Sequence, residues 1–402
     1  MKRSAWMLVW LIVAGLGWGD SGPGDRPRAR GVWVTRWDYK SAEDVSRIFQ
    51  NVGQLGATQV FFQVRGNATV CYPSRIEPWA WELTGNTAAL LGQDPGWDPL
   101  RVALDEAGKN QLELHAWMNV FPGWRGVEPV PAGMNHPWAD KRSWFMVDHR
   151  GVLLRPSASF YTFLSPGNPE VREYLGTVFL EIAEKYPELH GIHLDYVRYP
   201  GQTELGRFRD FSYDAASVSA FEKQYKKQPA PTLEEWRAFK RAQVTETIRV
   251  IRNAIRLASP IMQLSATCFA DIHSATAEKG QDPRVWLREG LVDWVIPMAY
   301  KRTFGELKTQ LETWNSWFDE TALTRMWIGL NADFNSAGEI GRQMEYLNQH
   351  PYGGTVLFAY SALYANHQPN TKAKQVQKIW QEQIRQEKLF SPAQNLPAVS
   401  SQ

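Results

Sequence analysis

From Arg30 onward, short apolar runs of strand character alternate with longer stretches of helical period. Strands are predicted over residues 31–37, 58–65, 111–119, 189–197, 263–269, 292–300, 326–331 and 354–361. Helices are predicted over 42–55, 98–109, 170–186, 232–259, 304–318, 337–349 and 371–386, with a further one opening at Asp282 and Pro283. At Asp98–Pro99 and again at Asp282–Pro283 a capping carboxylate precedes a first-turn proline, which marks a helix start. Eight strand–helix alternations predict an α/β chain folded as a (β/α)8 barrel. A doubly wound open sheet advertises a glycine-rich turn after its first strand, and WVTRWDYKS offers no glycine there. The connections after the second, third and fourth strands are long, whereas those at the other end, such as 56–57 and 109–110, are short. Long βα loops build the active-site face of such a barrel, so that end is expected to bind something large.

The same alternation sorts side chains onto two faces. In GIHLDYVRYP, residues 191–200, it puts Ile192, Leu194 and Tyr196 on one face and His193, Asp195 and Val197 on the other. The aliphatic pair suits a helix-covered face. Asp195 then stands near the C-terminal end of a barrel strand, where catalytic groups of (β/α)8 enzymes sit; the plain alternative is a loop cap or an arginine partner. Strand two ends in Gln63 and Arg65, and strand three carries Glu113, His115, Trp117 and Asn119 on one face. Arg198 follows strand four, and Tyr300, Asn331, Asp333, Tyr360 and Ser361 close the later strands. Alone, each reads as a hydrogen-bonded interior group, and for His115 and His193 that reading is favoured. Together they describe a polar rim with aromatic walls, as concave sugar sites have.

Composition narrows the ligand. The 402 residues are 44% hydrophobic and 21% charged, enough apolar residues for a packed core. The net charge of +2, with no long basic run, argues against nucleic acid as a partner. Nineteen tryptophans, with 14 tyrosines and 18 phenylalanines, supply flat apolar faces on which sugar rings stack, so a neutral glycan fits better than a phosphate-bearing ligand. Cys71 and Cys268 match no zinc or CxxC spacing and read as two unlinked thiols. Lys2 and Arg3 followed by an apolar run over 5–17 read as a secretion signal over 1–19, too short for a comfortable membrane span. No cysteine follows it for lipid attachment, and an uncleaved anchor is the alternative. A Gly-, Pro- and Arg-rich linker is expected over 20–29, the barrel over 30–390 and a frayed tail over 391–402. The expected place of action is therefore the cell envelope or the outside, as a monomer without a cofactor.

Glycoside hydrolysis needs two carboxyl groups in opposite roles. Asp195 suits the ionised one, nucleophile or base, with Arg65 or Arg198 expected to hold its pKa down. For the protonated partner, Asp271 after strand five and Asp333 after strand seven both stand open. Asp282 has a plain task as a helix cap, and Glu113 lies too early in its strand. Arg65, His115, Trp117, Asn119, His193, Arg198, Tyr300, Asn331 and Tyr360 are the expected substrate contacts. A metal site is a weak reading, because no HExxH or close histidine pair is present, and a Ser-His-Asp hydrolase lacks its GxSxG elbow. Two rivals remain: a carbohydrate-binding barrel without turnover, and a metal-dependent polysaccharide deacetylase or hydrolase.

Several stretches resemble one family in order: RGVWVT, FFQVR, YPSRIEPWAWELTG, GWDPLRVALDEAGKNQLELHAWMN, LSPGNPEVREYL, GIHLDYVRYP and GQDPRVWLREGLVDWVIPMAY. They resemble the glycosyl-hydrolase-like 10 family over about residues 30–360. The resemblance implies a (β/α)8 barrel, export, and glycosidase activity, with characterised members acting on cell-wall glycan freed of stem peptides. It places the family's strand-four acidic motif on Asp195. Many members carry a second acidic residue directly after it; this chain has Tyr196, which leaves the acid unassigned.

Overall fold

The strands in chain order are β1 (Ala29–Val34), β2 (Gln59–Arg65), β3 (Glu113–Asn119), β4 (Pro122–Arg125), β5 (Tyr161–Phe163), β6 (Gly191–Asp195), β7 (Gln263–Phe269), β8 (Trp294–Met298), β9 (Trp327–Asn331) and β10 (Gly354–Phe358), followed by a two-residue antiparallel pair, β11 (Tyr364–Ala365) and β12 (Gln368–Pro369). Eight of them close into a parallel barrel in the order β1, β10, β9, β8, β7, β6, β3, β2. The coordinates are a computed structural model that describes residues 28–389 apart from 86, 202–204 and 207. All eight predicted strands are present, and β4 and β5 form a separate antiparallel hairpin inside the long connection after β3. The expected signal, the expected tail and all but the last two residues of the expected linker lie outside the described residues. Among the described residues no helix is long and apolar enough to cross a membrane.

Local chemistry sets the outer ring. Helix Ala42–Leu55 opens with a reciprocal cap between Ser41 and Asp44 and turns its apolar stripe, Val45, Ile48, Phe49 and Val52, inward. It stops at Gly56, whose φ of 92° lies in the left-handed region that favours glycine. Asp98 and Asp282 cap their helices ahead of a proline, as their sequence context predicts. Cys71 and Cys268 are buried and unlinked.

The barrel interior is largely aromatic. Trp33, Phe61, Trp117, Trp294, Ile296 and Val356 fill it, and Trp294 stacks on Trp327 with centroids 4.2 Å apart. Part of the tryptophan excess is thus a plug that gives the site above it a rigid floor.

Two irregularities aim the polar groups. In β2 the register with β3 shifts between Gln63 and Arg65, so two residues of β2 face one of β3. Gln63 keeps facing the barrel interior, whereas Arg65 is turned out into the packing under the β2 loop. There it grips Glu77 with Nη2–Oε1 at 2.6 Å and Nε–Oε2 at 2.8 Å, and also donates to the carbonyls of Asn119 and Val120. In β6 the strand ends at Asp195, because Tyr196 takes a positive φ of 51°. Strand alternation stops there, so Tyr196 faces the mouth of the barrel and Val197 joins the outer core, the reverse of the expected faces.

Candidate active site

At the C-terminal ends of the strands lies a bowl of about 490 Å³. Strand three brings Trp117 and Asn119 to it, strand β6 brings Asp195, and Arg198 and Tyr300 reach it from the following loops. These five of the expected site residues converge. Asn119 and Asp195 are paired neighbours on adjacent strands, so their side chains share one level of the barrel.

Asp195 is nearly sealed, at 7% exposure, yet it lines the bowl. Its Oδ1 accepts two hydrogen bonds, from Thr267 Oγ1 at 2.7 Å and from the Tyr196 N–H at 2.7 Å. The turn at Tyr196 is what folds that N–H back. Oδ2 takes no partner from the described residues. Burial raises the pKa of this carboxyl above its usual 3.8; Thr267, the Tyr196 N–H and Arg198 pull it down less strongly. Trp117 adds the weakest pull, and its indole N–H forms no hydrogen bond. The expectation that arginines would hold this carboxyl low is therefore corrected. Arg65 is committed to Glu77, and Arg198, stacked over Tyr196 and Phe269, does not offset burial.

Tyr300 stays a neutral phenol, since burial and the nearby Asp195 push its pKa well above the usual 10. On the opposite wall Arg36 is held by Glu82 at 2.8 Å and by Tyr161 at 3.1 Å, and its guanidinium lies 4.6 Å from the Trp37 ring centroid. Trp37 is 48% exposed and forms part of the lip.

The other expected residues lie elsewhere. His115 is buried below the bowl, stacked on Phe61, with its pKa lowered to about 3 by burial. His193 is held between the Trp33 indole and Ser265, and burial keeps it neutral. Both are interior, but only His193 is the hydrogen-bonded group expected; neither ring nitrogen of His115 finds a hydrogen-bond partner among the described residues. Asn331 spends its side-chain oxygen on the N–H groups of Asp333 and Phe334. Tyr360 bonds Asn51 and His367. Asp271 is an exposed cap on Ser274, and Asp333 is exposed; neither lines the bowl, so both candidates for the partner acid are displaced. Among the described residues Asp195 is the one carboxyl in the lining, and no three His, Cys, Asp or Glu side chains converge as metal ligands.

Sequence reasoning missed Arg36, Trp37, Tyr161 and Thr267 and left Gln63 out of the site. Arg36 and Trp37 follow β1 and Thr267 alternates with Ser265 on β7, so strand-end position pointed to them. Tyr161 reaches the bowl from the β4–β5 hairpin, which no periodicity announced.

A family model described as glycosyl hydrolase-like 10 matches residues 28–346. Glycosyl hydrolase DigH of Escherichia coli K12 is 26% identical over 336 residues, covering 75% of this chain and 72% of that protein. Glycosyl hydrolase YngK of Bacillus subtilis is 27% identical over 301 residues, covering 67% of this chain and 54% of that one. Among solved structures, the glycoside hydrolase domain of PgaB (BpsB) from Bordetella bronchiseptica superposes with a TM-score of 0.60 at 15% identity, covering 85% of this chain and 97% of that domain. At that identity the likeness is one of fold.

Proposed function

The chain belongs to the glycosyl hydrolase-like 10 family, and from that footing we propose that it is a glycoside hydrolase cleaving O-glycosidic bonds of a polysaccharide, with Asp195 as its proton-transferring carboxyl. The observation that carries the reading is the asymmetry of that carboxyl. One oxygen is saturated by Thr267 and Tyr196, while the other is left to the bowl. When the group is neutral its proton therefore resides on Oδ2, facing the ligand. A carboxyl whose pKa is raised by burial holds its proton to higher pH than a free one, which suits it to donate that proton to a departing glycosidic oxygen. The leaving sugar takes that proton, water adds to the anomeric carbon, and the proton released by the water restores the carboxyl. Trp37 and Trp117 supply stacking faces, and Asn119, Arg36 and Tyr300 supply hydrogen-bonding groups.

The glycan placed first is that of the bacterial cell wall, with action outside the cytoplasm. This rests on the family resemblance and on the signal-like residues 1–19. The reading is of a single chain acting as a monomer. The test is digestion of a polysaccharide panel that includes peptide-free cell-wall glycan, read as reducing ends and by mass spectrometry. Asp195→Asn is expected to lower turnover roughly 100- to 10,000-fold with the fold intact; an undiminished rate would remove Asp195 from the mechanism. A chelator is expected to leave the rate unchanged, and inhibition would favour a metal-dependent deacetylase or hydrolase. A carbohydrate-binding barrel without turnover is the second reading, favoured by the single carboxyl among the described lining residues. Binding of a panel glycan with no reducing ends released would select it.

A further inference from the structure

We propose that Gln63 is a positioning residue that fixes Asn119 as a hydrogen-bond donor to the substrate, so that the bowl reads an acceptor oxygen beside Asp195. The inference rests on the glycosidase reading of this bowl. The two ends of a side-chain amide have nearly the same shape, so hydrogen bonding alone decides which end faces a ligand. Here the decision starts from a group that cannot be reversed. The backbone N–H of Arg36 is only a donor, and it meets Gln63 Oε1 at 3.1 Å. With its oxygen committed, Gln63 presents its NH2 end to Asn119 and meets Oδ1 at 3.3 Å. Asn119 is left with Nδ2, which takes no partner from the described residues while the side chain lines the bowl. Reversing Asn119 alone would set two NH2 groups against each other. Reversing both amides would strand the Arg36 N–H in a buried place.

The geometry also fixes where that donor stands. The Asn119 backbone carbonyl is gripped by Arg65, and the residue is paired with Asp195 across β3 and β6. The NH2 group therefore sits one strand from the carboxyl, at the same level. Its partner must be a lone pair: a hydroxyl, ring or glycosidic oxygen, or an acyl carbonyl. A substrate group that only donates is rejected there.

Gln63→Glu inverts the relay. Its carboxylate keeps the Arg36 N–H on one oxygen and offers a second acceptor to Asn119, which answers with Nδ2 and turns Oδ1 to the bowl. On the panel glycan that the wild type cleaves fastest, beginning with peptide-free cell-wall strands, kcat/KM is expected to fall roughly 10- to 100-fold. Asn119→Asp, which presents only oxygen without touching Gln63, is expected to lose a similar factor. The deciding measurement is a cycle in which Gln63→Glu is introduced into Asn119→Ala. If Gln63 acts through Asn119, the second change costs nothing further; an equal cost in both backgrounds overturns the proposal. Gln63→Met runs the same cycle should Gln63→Glu not fold, with thermal melts as the check. Glycan affinity measured with every protein carrying Asp195→Asn keeps the outcome separate from the fate of Asp195 as proton donor.

Discussion

Burial of Asp195 carries a stability cost that depends on pH, and its sign follows from the raised pKa. Below the usual carboxylate value of 3.8 the group is neutral in both folded and unfolded chains, and its burial is tolerated. As the pH rises, the unfolded chain releases the proton first, so stability is lost until the folded carboxyl also ionises. Asn at this position keeps the shape and cannot ionise. Asp195→Asn is therefore expected to melt higher than the wild type at neutral pH, with the gap closing as the pH falls toward 3.8; a gap that widens on acidification would show the carboxyl held low instead. Trp37 offers a contrast at the same scale. It is 48% exposed and its ring lies against Arg36, so it contributes little to the core. If its outer face is a sugar platform, Trp37→Ala should weaken glycan binding roughly two- to tenfold, in line with about 0.5–1.5 kcal/mol for aromatic stacking, while the melting temperature stays put. Calorimetric titration beside a thermal melt separates the two effects.

Among the elements, β2 shows both how much of the site is legible in sequence and where legibility ends. TQVFFQVR marks a buried strand, and strict alternation puts Gln63 and Arg65 on one face. The bulge between them breaks that alternation and accompanies the buried pair of Arg65 with Glu77, and nothing in the apolar pattern marks it. The barrel itself was legible because each of its strands is an apolar run that must be covered by the following helix. Asp195, Trp117, Asn119, Arg198 and Tyr300 were legible because they end or follow those runs. Partner acids were not legible, because a carboxylate just past a strand reads the same whether it caps a helix, as Asp271 does, or faces a ligand. Both side chains of the Arg65–Glu77 pair have no exposure, and Tyr174 donates a further hydrogen bond to Glu77. Glu77→Ala would leave a guanidinium uncompensated under the β2 loop, a loss on the order of 3–5 kcal/mol by chemical denaturation. A loss below about 1 kcal/mol, the range of a surface pair, would show that water reaches the arginine.

The molecule as a whole depends on a closure made by its two ends. β1 opens the described chain and pairs with β10, which also pairs with β9, so every barrel strand has two neighbours. The family match stops at residue 346, one strand short of that closure. Beyond β10, helix Thr371–Leu389 packs against helices Ala42–Leu55 and Ala337–Asn348 and buries Val376, Ile379 and Trp380. Its Glu387 clasps Arg30 of β1 with both carboxylate oxygens at 3.0 Å. A chain ending at residue 350 would expose the facing edges of β1 and β9, and the apolar surfaces under the lost strand and helix, to water. Open parallel edges of this kind pair with other chains rather than with solvent. Such a chain is expected to show no cooperative thermal transition and to elute as aggregate, whereas one carried through residue 389 melts as a unit. A sharp melt from the shorter chain would mean that seven strands suffice, and that β10 and its helix serve the bowl, where Phe358 stands in the wall, rather than the fold.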